Sequence, residues 1–135
     1  MNQDPQSSIY LPFFTPQPTS GLTCPVDSYS EVALNIGDYL EAQSPSTFLV
    51  RVTGKSMVNA GILDQSLLVV NRDIRPSHQD IVIAEINGEL SCKILDTHAQ
   101  VLRTANTNHR PVSVREHGQL VILGVVTHAI NPMSA

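Results

Sequence analysis

From Thr47 onward, apolar and polar residues alternate along most of the chain, a pattern typical of half-buried β-strands. The first predicted strand carries Phe48, Val50 and Val52 on one face. Further strands are predicted over residues 67–70, 81–86, 89–95, 100–104, 112–115 and 120–129, the last with a bend at Gly124. The dipeptide Asn87-Gly88 is typical of a two-residue hairpin turn. These short strands predict a mainly β fold, a small and partly open β-barrel-like domain.

The segment before residue 29 has a different composition and predicts an extended arm. Five of the nine prolines lie within the first 25 residues, and proline is poorly tolerated in helices and in central strands. The arm also carries a group of apolar residues, Ile9, Tyr10, Leu11, Phe13 and Phe14. We therefore expect two parts, an arm over residues 1–28 that docks on another surface and a β-rich domain over residues 29–135.

Residues 28–42 are predicted as the main helix of the chain. Ser28 and Glu31 have the spacing of a capping box, and Val32, Ile36 and Leu40 fall at helical intervals. Val32, Leu34 and Ile36 also alternate along the chain as in a strand, and Gly37 interrupts the helical pattern, so both structures remain open.

Composition and charge narrow the function classes. The chain has 135 residues, which suits one domain, with 41% hydrophobic and 15% charged residues. Its net charge is −4, and no aromatic residue follows Phe48, so direct nucleic-acid binding is not expected. No apolar stretch approaches the roughly 18 residues of a membrane-spanning helix, and we expect a cytoplasmic protein.

Cysteines and histidines give no metal or cofactor prediction. Cys24 and Cys92 are too few for a disulfide framework or a four-cysteine zinc site, and we expect both thiols to be free in a reducing compartment. The five histidines show no close metal-ligand spacing. We therefore predict neither a bound metal nor a cofactor.

Two residues are candidates for catalysis. Ser56 follows Gly54 at the end of a predicted strand, where a hydroxyl and a backbone N–H can face the same way, as a serine nucleophile requires. The alternative is a glycine bend with a serine that hydrogen-bonds its own turn. Lys93 points away from Cys92 and Ile94 by alternation, and is either a solvated lysine or a buried neutral amine that accepts a proton.

These residues belong to a longer resemblance. The segment Gly54-Lys55-Ser56-Met57, followed by residues 61–64 and 67–70, resembles the G-x-S-M…G-I-x-D…L-L-x-V block of LexA-like self-cleaving serine peptidases. Residues 78–84, 88–95 and 124–128 resemble the family's later strands, and Lys93 follows Ser56 by 37 residues. The resemblance implies a LexA/signal-peptidase-type domain with Ser56 as nucleophile and Lys93 as general base. Departures occur at Lys55, Asn59 and Gln65-Ser66.

The family pattern also implies a cleavage site and partners. A cut between a small residue and glycine before the serine points to Ser20-Gly21, which would leave residues 21–135. The chain offers no room for a helix-turn-helix domain and no anchor of a signal peptidase, so it resembles the UmuD-like group, accessory subunits of error-prone Y-family translesion DNA polymerases. That group implies a homodimer whose self-cleavage is stimulated by a RecA filament on single-stranded DNA during the SOS response.

Two other functions remain open from the sequence. One is a non-catalytic, dimeric binding module with the same fold. The other is a self-cleaving regulator that pairs with LexA-type repressors. Ser56→Ala separates the first from a peptidase, because a pure binding module keeps its function without the hydroxyl. Copurification separates the second, because a repressor rather than a polymerase would be recovered.

Overall fold

A computed structural model of the chain describes residues 10–16, 29–106, 110–114 and 120–133. The chain divides between Gln43 and Ser44 into two compact units. The mainly β class is confirmed, and the sheets are not closed. The predicted boundary between residues 28 and 29 stays a prediction. Within the described ranges, no helix is long and apolar enough to cross a membrane.

The first unit contains a two-stranded antiparallel sheet. Strand β1 (Tyr10–Pro16) pairs with β2 (Tyr29–Asn35), and Tyr10 lies opposite Asn35. Helix α1 (Ile36–Tyr39) follows directly, and the Asn35 side chain caps it by accepting the Asp38 N–H at 3.2 Å. The helix predicted over residues 28–42 is thus wrong for residues 29–35. Pairing with β1 satisfies the backbone of this segment, and the alternating pattern prevails over the helical one.

The second unit contains a seven-stranded antiparallel sheet, and every strand predicted after residue 46 is present. The strand order is β3-β4-β9-β5-β6-β7-β8, with β3 and β8 at the edges. Their bounds are β3 Thr47–Arg51, β4 Leu67–Asn71, β5 Ile81–Ile86, β6 Glu89–Asp96, β7 Val101–Arg103, β8 Val112–Ser113 and β9 Leu120–Ile130. The turn residues Asn87 and Gly88 both have positive φ, as the predicted hairpin requires.

Two clusters of buried side chains form the core of this unit. The first consists of Met57, Ile62, Leu68, Val70 and Ile83. The second consists of Val82, Ala84, Leu95, Leu102 and Val125. Neighbouring residues of β5 belong to different clusters, so the clusters lie on opposite faces of that strand. Met57 is 1% exposed and therefore fixes the chain directly after Ser56 in the first cluster.

Strand β9 lies between β4 and β5 and is irregular on both sides. Its register shifts against β4 between Val69 and Val70, and against β5 between Ile83 and Ala84. The second shift leaves an extra residue beside Gly124, near the predicted bend. A Cβ atom added at Gly124 would lie 2.7 Å from Val70 Cγ1 and 2.9 Å from the Asn71 carbonyl oxygen. The close approach of β4 and β9 therefore requires glycine at this position.

We expect Gly124→Ala to lower the free energy of unfolding by about 1–3 kcal/mol, because the new methyl group must displace backbone as well as a side chain. Urea denaturation followed by circular dichroism measures this change. The double substitution Gly124→Ala with Val70→Ala relieves only the side-chain contact, so it should not restore the wild-type value. A single variant within about 0.5 kcal/mol of wild type would contradict the close packing.

Candidate active site

The segment that carries Ser56 leaves β3 through a sharp turn. Gly54 has a φ of +100°, in the left-handed region that favours glycine, and its N–H donates to Asp64 Oδ1 at 2.8 Å. The Val58 N–H then donates to the Lys55 carbonyl at 3.2 Å and closes the turn around Ser56. Ser56 itself is half-buried. A glycine bend, the feature on which the non-catalytic interpretation of this segment depends, is therefore present, and it sets the direction of the serine turn.

The residues that follow the serine turn form a network at its base. The Val52 N–H donates to the Ser66 carbonyl at 2.9 Å, and the Leu63 N–H donates to Ser66 Oγ at 2.9 Å. Ser66 is fully buried, and its hydroxyl donates to Asn131 Oδ1. Asn131 Nδ2 in turn donates to the Gly61 carbonyl at 3.1 Å. The end of β9 thus holds the loop that positions Ser56.

A second set of contacts holds the serine turn from the side of β7. The Asn106 N–H donates to the Ser56 carbonyl at 3.0 Å, and the Ala105 N–H lies 3.4 Å from Met57 Sδ. Asn59 Nδ2 donates to the Ala105 carbonyl at 3.1 Å. The turn is therefore fastened to the segment directly after β7, and β7 pairs with β6 through Ile94 and Arg103.

Lys93 lies in the middle of β6, opposite Val82 on β5. Its neighbours Cys92 and Ile94 pack on the first core cluster, so alternation turns Lys93 to the other face, as predicted. Burial lowers the pKa of Lys93 from its ordinary value of 10.5, and the nearby Cys92 acts weakly in the opposite direction. Burial also raises the pKa of the Cys92 thiol to about 11. Lys93 thus gives up its proton more readily than an exposed lysine.

One cavity lies between the segments that precede the two candidate residues, and neither Ser56 nor Lys93 is among its lining residues. It has a volume of about 160 Å³, and its lining comes from the chain just before Ser56, the chain just before Lys93, and β5. The lining residues are Val50, Arg51, Val52, Thr53, Ile83, Leu90, Ser91 and Cys92. Within the ranges that the structure describes, no hydrogen bond joins Ser56 Oγ to Lys93 Nζ. The fold thus brings the two flanking segments together, while the side chains remain unbonded to each other.

The predicted cleavage site, Ser20-Gly21, lies outside the described residues and stays a prediction. Cys24 also lies outside them, whereas Cys92 is a free thiol. Sequence reasoning missed Asn106 and Asn131, which hold the serine turn from chain positions 50 to 75 residues away. Local patterns carry no indication of such long-range contacts.

Two histidines also come together, although their spacing along the chain gave no metal-ligand prediction. His78 precedes β5, and His98 follows β6, so the β5–β6 hairpin places them side by side. The hairpin register pairs Ile81 with Ile94, and extending it by three residues sets His78 opposite Thr97. The Asn87-Gly88 turn fixes this register, so it is the sequence signal from which the proximity of His78 and His98 could be predicted.

The comparisons with known proteins support a protein of the self-cleaving serine peptidase kind. The chain belongs to the peptidase S24-like family, whose model matches residues 12–127. It is 34% identical over 124 residues to the protein ImpA of Salmonella typhimurium, covering 92% of this chain and 86% of that protein. It is also 33% identical over 129 residues to the protein SamA of Salmonella typhimurium strain LT2, covering 96% and 90%.

A third relative is the protein MucA of Escherichia coli, 30% identical over 122 residues, with 89% of this chain and 84% of that protein covered. These relatives belong to the UmuD-like group, so the resemblance described for the sequence is confirmed at the level of the family. The chain is accordingly a member of the SOS mutagenesis family of peptidase-type proteins.

Proposed function

We propose that this protein cuts its own chain between Ser20 and Gly21, with Ser56 as nucleophile and Lys93 as general base. The observation that carries the proposal is one cavity lined both by residues 50–53, which lead toward Ser56, and by residues 90–92, which directly precede Lys93. The lowered pKa of Lys93 supports its role, because a base must be neutral to accept the serine proton. Family membership supports the reaction class.

The reaction begins when Lys93 Nζ takes the proton of Ser56 and the serine oxygen attacks the Ser20 carbonyl carbon. The Ser56 and Met57 N–H groups donate no hydrogen bond within the described ranges, which leaves them available to the oxyanion. Lys93 then passes the proton to the Gly21 nitrogen as the peptide bond breaks. Water hydrolyses the resulting ester and frees Ser56. Because the substrate is part of the same protein, positioning supplies much of the rate, about 7–11 kcal/mol at best.

In the proposed function, the hydrogen bond between Ser56 Oγ and Lys93 Nζ, which the described ranges do not show, forms when an activator seats the substrate. Catalytic hydrogen bonds are often made only when the substrate is seated. In the proposed function, a RecA filament on single-stranded DNA favours the seated state, in the cytoplasm and during the SOS response. The cut form, as a homodimer, then joins a Y-family DNA polymerase as its subunit. Exposed apolar residues of β1 support an arm that packs on one surface before the cut and exposes that surface to another partner afterwards. These residues are Tyr10, Leu11, Phe13 and Phe14.

Intact-mass spectrometry of the purified protein tests the proposal. We expect incubation near pH 10, or with RecA, ATP and single-stranded DNA, to yield a species that matches residues 21–135. A product with another N-terminus would reject the Ser20-Gly21 bond while keeping the peptidase. An uncut chain under both conditions would reject self-cleavage and favour the non-catalytic binding module.

The contact between Asn59 and the Ala105 carbonyl predicts a positioning effect. Asn59→Ala removes the amide that fastens the serine turn to the segment after β7, and we expect self-cleavage to slow by about tenfold to a hundredfold. Asn59 is exposed, so the free energy of unfolding should fall by no more than about 0.5–1.5 kcal/mol. Gln at this position keeps an amide and should retain more activity than Ala. Equal rates for wild type and Asn59→Ala, measured by densitometry of the cut band, would exclude this role.

A further inference from the structure

A cluster of two imidazoles and a carboxylate lies at the open end of the β5–β6 hairpin, and its carboxylate, Asp96, follows Lys93 by three residues on β6. His78 belongs to the loop before β5, Asp96 ends β6, and His98 lies in the turn that follows. One ligand atom from each residue lies within 4.8 Å of the other two. Among the described residues, the structure brings no other histidine into such a group.

The atoms that face one another are suited to binding a cation. His78 Nδ1 lies 3.7 Å from Asp96 Oδ1, and two ligands of one tetrahedral zinc ion are separated by about 3.3 Å. The His78 and His98 rings are stacked, with centroids 3.8 Å apart. Core packing does not explain this ring stacking, because His98 is exposed and His78 is only half-buried.

The surroundings of Asp96 resemble those of a metal-binding carboxylate. Arg103 Nε donates to Asp96 Oδ2 at 2.9 Å, and the Ala99 N–H donates to Oδ1 at 2.9 Å. These two bonds fix the plane of the carboxylate and leave Oδ1 facing His78. Hydrogen bonds of this kind orient the ligands of metal sites and strengthen binding.

We propose that His78, Asp96 and His98 bind a divalent transition-metal ion, of the class that includes Zn²⁺ and Co²⁺. Two imidazoles and one carboxylate form a donor set that these ions prefer over Mg²⁺ or Ca²⁺, which take oxygen ligands. Three protein ligands leave at least one coordination position for water or for a group on a partner. The ion would join the loop before β5 to the turn after β6.

Binding requires two small local rearrangements. The Thr97 N–H donates to His78 Nδ1 at 3.1 Å, so Nδ1 can bind the ion only once this bond is released. Gln79 Nε2 lies 3.2 Å from the other ring nitrogen, Nε2. The exposed His98 ring must also turn out of the stack, because the lone pairs of parallel rings do not converge on one point. Both changes involve side chains and a turn, and they leave the β5–β6 ladder intact.

The test is a pair of titrations of the untagged, full-length protein. Zn²⁺ binding is measured by calorimetry, and Co²⁺ binding is measured by the visible absorption of the ion. We expect one ion per chain and a melting temperature that rises with metal concentration. His98→Ala is the main variant because His98 is exposed and its loss should leave the fold unchanged. It should weaken binding by at least about tenfold, as should Asp96→Asn. His128→Gln removes a histidine outside the cluster and should bind as the wild type does.

Three results would overturn the proposal: no binding by the wild type, the same affinity in wild type and His98→Ala, or a loss of binding in His128→Gln as large as in His98→Ala. Circular dichroism of each variant distinguishes the loss of metal binding from the loss of the folded structure. The measurement does not involve cleavage, so it tests the proposed metal site independently of the proposed peptidase activity.

Discussion

Ser56→Ala should leave the chain uncut under every condition that converts the wild type into residues 21–135. The proposed reaction forms its covalent bond at Ser56 Oγ, so removing that atom should lower the cleavage rate by at least about 10³-fold. The alanine variant should fold normally, because the turn is held by backbone contacts that the substitution keeps: the Ser56 carbonyl still accepts the Asn106 N–H, and Met57 remains buried.

The matched control is Ser77→Ala, which removes an exposed hydroxyl from the loop before β5. It should be cut at the wild-type rate. Intact mass and a thermal melt on the same samples separate lost chemistry from lost structure. If Ser56→Ala still yields the 21–135 species, the nucleophile is another group or a contaminating protease, and the proposed mechanism is wrong.

Lys93→Met should abolish self-cleavage at all pH values and, at neutral pH, make the fold more stable. Methionine fills a similar volume without a charge, so it avoids the desolvation that lowers the pKa of Lys93. Without a general base, the cleavage rate should fall by about 10²–10⁴-fold. In the wild type, the rate should rise with pH and level off once the pH passes the Lys93 pKa, which lies below 10.5. A flat wild-type profile between pH 7 and 10 would reject Lys93 as the base.

The stability of the two proteins should respond to pH differently. Between the folded pKa of Lys93 and its ordinary value of 10.5, the unfolded chain binds more protons at this residue than the folded chain. The contribution of Lys93 to the free energy of unfolding therefore rises with pH across this window. Burial of the Cys92 thiol, whose pKa is raised to about 11, opposes this rise in every variant. Urea melts at several pH values should therefore show a more positive slope of the free energy of unfolding against pH in wild type and in Arg75→Met, which removes an exposed cation, than in Lys93→Met. Equal slopes in all three would mean that Lys93 is solvated.

The strands of the second unit could be predicted because their evidence is local. Alternation marks β3, a continuous apolar run marks the buried β4, and Asn87-Gly88 fixes the hairpin. The pattern over residues 29–35 fits both a helix and a strand, because its partner β1 lies elsewhere in the chain and a short window does not contain it. Pairing with β1 decides in favour of the strand.

The candidate site also contains some residues that the sequence predicts and others that it does not. Ser56 and Lys93 are predicted from a motif with ordered spacing, and the structure adds a cavity between the segments that precede them and the half-buried position of the lysine. The residues that hold the serine turn, Asn106 and Asn131, carry no motif. Their role depends on where β7 and β9 end in space, which follows from the register of the whole sheet.

The hydrogen bond from Asn131 to the Gly61 carbonyl, which helps to hold the serine turn, determines when during synthesis the site is complete. Strand β9 occupies the middle of the sheet, between β4 and β5, and Asn131 follows its last residue. On the ribosome, Ser56 emerges long before Asn131, so the nascent chain lacks both the central strand and the bond to Gly61. We therefore expect that neither a chain in synthesis nor a fragment that ends before β9 performs the proposed self-cleavage.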